Sequence, residues 1–191
     1  GPVLHNHEAA AALSEKDRGA LGLHVIEVLA ALHQIDPDAV GLGDLGRKEA
    51  YLQRQMKRWV TQWEATKTHE VPAMDESTRL LAERMPEQVG SAIVHGDYRL
   101  GNMITNDGKV SAVLDWELCT LGDPLADVGY LLNSWVAPGE REEDLTPTAS
   151  ALKLPRSHAK CREWKKRVSS SRHPSHNFGS RWIVNEPWLM E

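Results

Sequence analysis

Asp97, Asn102 and Asp115 are the side chains in this 191-residue chain whose type and spacing could do chemistry. The first two stand in Ile93-Val94-His95-Gly96-Asp97-Tyr98-Arg99-Leu100-Gly101-Asn102-Met103-Ile104, and the third in Val113-Leu114-Asp115-Trp116-Glu117, 18 residues beyond Asp97. Each Asp follows a short apolar run whose β-branched and aliphatic residues read as a buried strand. Asn106-Asp107-Gly108 is a hairpin signal, since Asn and Gly tolerate the positive φ of tight turns. A hairpin there folds Asp115 back towards Asp97 and Asn102, so that three oxygen-bearing side chains share one cleft. Hard oxygen ligands of this kind suit Mg²⁺.

The elements that must position these residues are mostly helical. Ser14 with Asp17 is a capping pair, because the Ser oxygen accepts an orphan amide at a helix start. The helix it opens carries Leu21, Val25, Val28, Leu29 and Leu32 on one face and ends near Asp36-Pro37. His24 and His33 lie on or near it without a third ligand at metal spacing, and read as packed or surface histidines. Gly41, Gly43 and Gly46 form an inter-helix loop; no strand precedes them, so a dinucleotide motif fails its context test. A second helix is expected from Lys48 to Thr66, with Leu52, Met56, Trp59 and Trp63 as a core or interface stripe. A third follows Asp75, with Leu80, Leu81 and Met85 facing inward and Pro86 stopping it. Asp123-Pro124 starts a last helix, on which Leu125, Val128, Leu132 and Trp135 recur and Asp127 lies one residue off the stripe.

The loop from His95 to Asn102 resembles the catalytic core of the aminoglycoside phosphotransferase family, relatives of the protein kinases. That family carries a His-Gly-Asp-x-x-x-x-Asn loop and then a metal-binding Asp after a short hairpin. Leu121-Gly122-Asp123-Pro124-Leu125-Ala126-Asp127-Val128-Gly129 matches its next landmark. The motif wording is most similar to the kinase-like part of acyl-CoA dehydrogenase family members ten and eleven. The resemblance covers residues 1–147 and implies an α+β, mostly helical fold: the C-terminal, large lobe of a kinase-like protein, with a small antiparallel hairpin at its site. It implies that Asp97 accepts or orients a substrate hydroxyl, and that Asn102 and Asp115 hold Mg²⁺ against the phosphates of ATP. Arg99 stands where a cation faces the γ-phosphate. His95 shapes the loop, Asp123 caps the following helix, and Asp127 bonds to the backbone of the catalytic loop. The rival, that these polar residues are incidental hairpin ends, requires two Asp and an Asn to meet at kinase spacing by chance.

Composition narrows the setting. Hydrophobic residues make up 41% of the chain, enough for a core. Mean hydropathy is −0.45 and no long apolar run occurs, against a membrane partner. The start, Gly1-Pro2-Val3-Leu4-His5, has no signal-peptide pattern. Cys119 and Cys161 are too few for a disulfide scaffold, which suggests a reducing, cytoplasmic setting. The net charge of −5 hides a division: residues 151–191 hold nine Lys or Arg and three Glu. Such a change of sign within one domain is unusual. Residues 148–191 therefore read as a basic, off-pattern tail, either out of frame with its ancestor or disordered. A tail contacting nucleic acid is the weaker alternative.

The function expected is ATP- and Mg²⁺-dependent phosphorylation of a small-molecule hydroxyl. The nearest relatives suggest a hydroxyacyl-CoA, the wider family aminoglycosides, choline or homoserine. The chain begins about where the family's hinge ends, and no Lys in residues 1–90 sits on a strand of a first lobe. The expectation is an incomplete copy meeting the nucleotide with half a site, its exposed apolar surface open to a separate N-lobe or to self-association. A catalytically inactive fragment or partner-binding module is the alternative, and metal-assisted hydrolysis by the same carboxylates a third.

Overall fold

The computed structural model describes residues 1–4, 9 and 12–133. Helix α1 (Glu15–His33) opens as its cap predicts: Ser14 Oγ accepts the Asp17 amide at 3.1 Å. Its buried face is Leu21, Val25, Ile26, Leu29, Ala30 and His33; Val28 and Leu32 lie at the margin rather than in the centre. The three glycines fall in the connection to α2 (Tyr51–Thr66), with φ positive at Gly41.

Two helical expectations need correction. Of the residues of α2, only Tyr51 is buried among the described residues, and Trp59 is 52% exposed. Of the two readings of the Leu52, Met56, Trp59 and Trp63 stripe, core or interface, the core one fails: Leu52, Met56 and Trp63 are half-buried, and helical spacing marks a face without saying what covers it. Helix α3 (Pro72–Glu83) begins before Asp75, with Pro72 in its first turn, where a missing amide is tolerated. Leu81 points outward at 59% exposure, and Leu80 and Met85 are half-buried.

The strands form two antiparallel pairs. Strand β1 (Ala92–Val94) pairs with β4 (Thr120–Gly122), and β2 (Met103–Asn106) with β3 (Lys109–Val113). Asp107 and Gly108 turn the hairpin with φ of 48° and 71°, the left-handed pair that two-residue hairpin loops require. The hairpin's first strand is thus the segment after Asn102 and not the run before Asp97. The latter, β1, is fully buried, whereas β3 is only partly covered and Leu114 is 37% exposed. The expectation of two buried strands holds for one. Pro2 and Val3 lie along β2: Thr105 N donates to the Pro2 carbonyl at 3.0 Å, and Val3 bridges Ile104.

Helix α4 (Leu125–Asn133) closes the core, packing Val128 and Leu131 with Leu21, Val25 and Leu29 of α1 and with Tyr98, Leu100 and Met103. Trp135, the acidic stretch 140–144 and the tail 148–191 lie outside the described residues. No described helix is long and apolar enough to cross a membrane.

Leu29 is wholly buried and Leu81 is not. Leu29→Ala should lower unfolding free energy by about 2–4 kcal/mol through lost burial and a residual cavity. Leu81→Ala should change it by less than about 0.5 kcal/mol. Denaturant unfolding of both variants tests the placement of α3.

Candidate active site

The His95–Asn102 loop is built around backbone that must bend sharply. Gly96 has φ +88°, and a Cβ there would stand 2.9 Å from Leu118 Cβ and 3.0 Å from the Leu118 carbonyl oxygen. Glycine is required twice, for the left-handed conformation and for the close approach. Two amides at this bend find one acceptor: the buried Asp127 takes His95 N on Oδ2 and Gly96 N on Oδ1, each at 2.8 Å. Tyr98, fully buried, fastens the loop to α1 by donating its hydroxyl to the Val25 carbonyl at 2.8 Å. Burial pushes its phenol well above the ordinary range, with the Asp127 charge acting in the same direction.

His95 is an internal brace. Its Nδ1 accepts the Asp97 amide at 3.2 Å, so Nε2 carries the proton and donates to the Leu114 carbonyl at 2.9 Å. Its ring lies 4.7 Å from that of Trp116, centroid to centroid. Leu114 N in turn donates to the Asn102 carbonyl at 2.8 Å. The backbone just before Asp115 is therefore tied to both ends of the loop.

Asp97, Asn102 and Arg99 meet at one carboxylate. Asn102 Nδ2 donates to Asp97 Oδ2 at 2.6 Å and to the Asp97 carbonyl at 3.0 Å; Arg99 Nε reaches the two Asp97 oxygens at 3.2 and 3.3 Å. Burial works to raise the Asp97 pKa. Hydrogen bonds from Tyr130, Asn102 and Arg99, with the Arg99 charge, outweigh it and hold the carboxyl below its ordinary value. Tyr130 was not singled out in the sequence. It lies on α4 three residues after Asp127, and the spacing that brings its hydroxyl to Asp97 becomes legible only once Asp127 is known to sit under the loop.

Asp115 stands where β3 ends, in the left-handed region at φ 66°, and its side chain is exposed. A non-glycine residue there is uncommon, and Asp is among the types that accept it. Among the described residues its carboxylate has no hydrogen-bond partner and so remains free to accept one. Asn102 spends its amide nitrogen on Asp97, which turns its oxygen into a free acceptor. Two oxygen donors of this kind fit Mg²⁺, which takes one or two protein ligands and completes its shell with phosphate and water. No group of three or more His, Cys, Asp or Glu among the described residues could hold a metal by itself. Glu117 is exposed in the single helical turn after Asp115.

Asp123 is buried, accepting Leu125 N at 2.9 Å as a cap and Val89 N at 3.2 Å from across the chain. Burial raises its pKa, partly offset by those amides and by His33. His33, read from sequence as a packed or surface residue, is 2% exposed and places Nε2 3.1 Å from Asp127 Oδ2. His24 accepts Val110 N at 3.0 Å.

A helical body bearing a short loop of this construction and a hairpin that returns an Asp to it defines the large lobe of a kinase-like fold. The chain belongs to the phosphotransferase enzyme family APH, whose family model matches residues 2–164. It is 35% identical to acyl-CoA dehydrogenase family member 10 of Mus musculus over 75% of this chain and 14% of that protein. Against family member 11 of Gallus gallus it is 41% identical over 64% of this chain and 16% of that one. A crystal structure from Ralstonia eutropha, provisionally assigned as an aminoglycoside phosphotransferase, superposes with a TM-score of 0.76 at 36% identity, covering 94% of this chain and 56% of the other. The streptomycin–ATP–APH(2")-IIa ternary complex shares the fold at 19% identity and a TM-score of 0.52, over 87% and 52% of the two chains. The chain thus spans about half of these solved neighbours and a much smaller share of the curated relatives.

A carboxyl whose pKa is depressed by folding contributes stability above its ordinary value of about 3.9, and loses it as pH falls through the folded value. Asn102→Ala and Tyr130→Phe should each raise the Asp97 pKa and move that loss to higher pH. A carboxyl-carbon NMR titration of Asp97 in the three proteins checks this; unchanged midpoints would refute the account.

Proposed function

We propose that this site transfers the γ-phosphoryl group of ATP to a hydroxyl of a small molecule, with Mg²⁺ as the metal. The observation that carries the reading is the convergence on Asp97 of Asn102 and Arg99, with the backbone leading to Asp115 bonded to the same loop. Phosphoryl transfer asks a protein mainly for positioning and for charge stabilisation, and this arrangement offers both. Membership of a phosphotransferase family supports the reading, as does a relative of the same fold described with ATP and streptomycin.

Asp97 orients the acceptor hydroxyl and takes its proton as the new O–P bond forms and the bond from the γ-phosphorus to the departing ADP breaks. Asn102 and Asp115 would hold the metal through their side-chain oxygens, and Arg99 would balance charge at the terminal phosphate. Mg²⁺, when bound, neutralises the charge on the phosphate oxygens. His95, Asp123 and Asp127 act on the shape of the loop rather than on the reacting atoms.

Within the same reading, residues 1–147 form the kinase-like unit and 148–191 a separate tail. The acceptor class is a small-molecule hydroxyl, hydroxyacyl-CoA among the candidates. The lysines before residue 90, Lys16, Lys48, Lys57 and Lys67, lie on helices or in loops among the described residues.

Titration of the 191-residue chain with Mg²⁺–ATP tests the proposal. Binding should be lost in Asp115→Ala. Asp97→Asn should retain binding while turnover falls about 10²–10⁴-fold. Absence of binding to the unaltered chain would favour the inactive-fragment reading, and phosphate release without an acceptor would favour hydrolysis.

A further inference from the structure

Under the active-site loop lies a buried polar cluster that the proposed chemistry does not use. His33, from the last turn of α1, and Asp127, from the first turn of α4, are 94 residues apart and both sealed from solvent. Asp127 already accepts two backbone amides, one on each oxygen. A third group at 3.1 Å from Oδ2 in that company must be a donor, so His33 Nε2 carries a proton towards the carboxylate. A buried carboxylate is held in place by the number and direction of its donors, and each one removed leaves an oxygen free to turn. The oxygen His33 grips is the same one that holds the His95 amide. His95 then fixes Asp97 through its ring nitrogen.

We propose that His33 is a positioning residue for Asp97. Its hydrogen bond to Asp127 fixes the rotation of that carboxylate, hence the paths of the His95 and Gly96 amides, and hence the direction of the carboxylate that meets the acceptor. The inference rests on the phosphotransferase reading for its catalytic consequence, whereas its structural half stands on geometry alone.

Two variants and one spectrum separate the possibilities. His33→Leu keeps the apolar bulk and removes the donor; His33→Gln restores an N–H near the position of Nε2. In His33→Leu the amide protons of His95 and Gly96 should shift upfield and exchange faster. Phosphoryl-transfer kcat should fall about 10-fold, the scale of one hydrogen bond to a charged group, with the KM for Mg²⁺–ATP unchanged. His33→Gln should recover most of both. Thermal melts establish that each variant is folded. Unmoved amides in folded His33→Leu, or a Gln variant no better than Leu, would overturn the proposal. Should neither variant fold, a long-range ¹H–¹⁵N spectrum of the unaltered chain decides: protonation at Nε2 supports the assignment, and an unprotonated Nε2 refutes it. If the chain transfers no phosphoryl group at all, the functional reading fails, while the amide shifts still judge the role of His33.

Discussion

The Asp127 carboxylate is the constraint on which the rest of the site depends. It sits on the first turn of α4, out of reach of solvent, and collects the His95 and Gly96 amides and His33. Such a group is costly to bury unless it is paired and hydrogen-bonded. Satisfying it forces the chain to present two successive N–H groups in one direction, which an extended strand does not do. The strand β1 therefore ends at Val94, and Gly96 takes up a positive φ. What emerges beyond that bend is Asp97, aimed away from the core with its neighbours already fixed.

From the same bend the geometry passes to Asp115. The His95 ring spans from the Asp97 amide to the Leu114 carbonyl, and Leu114 N returns to Asn102. Gly96 meanwhile lies against the backbone of Leu118. Two motifs separated by 18 residues are locked to each other by main-chain contacts on both flanks of Asp115. Side chains alone could tolerate drift here; backbone bonds make the spacing rigid. The antiparallel pairing of β1 with β4 completes the frame by holding the chain after Asp115 beside the chain before Asp97.

Much of this was legible in sequence because it rests on local rules. Ser14 and Asp17 announced a cap, and Asn106-Asp107-Gly108 a hairpin, whose turn falls at Asp107 and Gly108. The spacing of Asp97, Asn102 and Asp115 pointed to one loop and one returning strand. Less legible was whatever depends on which surface covers another. Periodicity in α2 identified Trp59 and Trp63 as one face, yet among the described residues that face is only half covered, with Trp59 exposed. Leu81 was misplaced for the same reason. The pairing of β1 was missed because three-residue strands carry no register signal. His33 read as a packed histidine and is one, but its partner, like that of Tyr130, was not legible because each acts across the fold, on a carboxylate 94 residues distant in one case and 33 in the other.

The environment of Asp97 bears on how the proposed transfer would proceed. A carboxyl held below its ordinary pKa is a weak base, and basicity sets how strongly a group pulls a proton early in a reaction. Where the transition state is loose and the attacking hydroxyl keeps its proton until late, little pull is needed. The donors around Asp97 then serve to fix its direction, which is the larger demand. They are not equally committed: Asn102 binds at 2.6 Å, whereas Arg99 stands at 3.2 and 3.3 Å, at or beyond the long end of the range for N–H···O bonds. In the proposed transfer Arg99 would exchange that partner for a phosphate oxygen at small cost, while Asn102 would keep the carboxylate turned towards the acceptor. On that reading the arginine would move with the nucleotide, and the carboxylate would stay where Asp127 has put it.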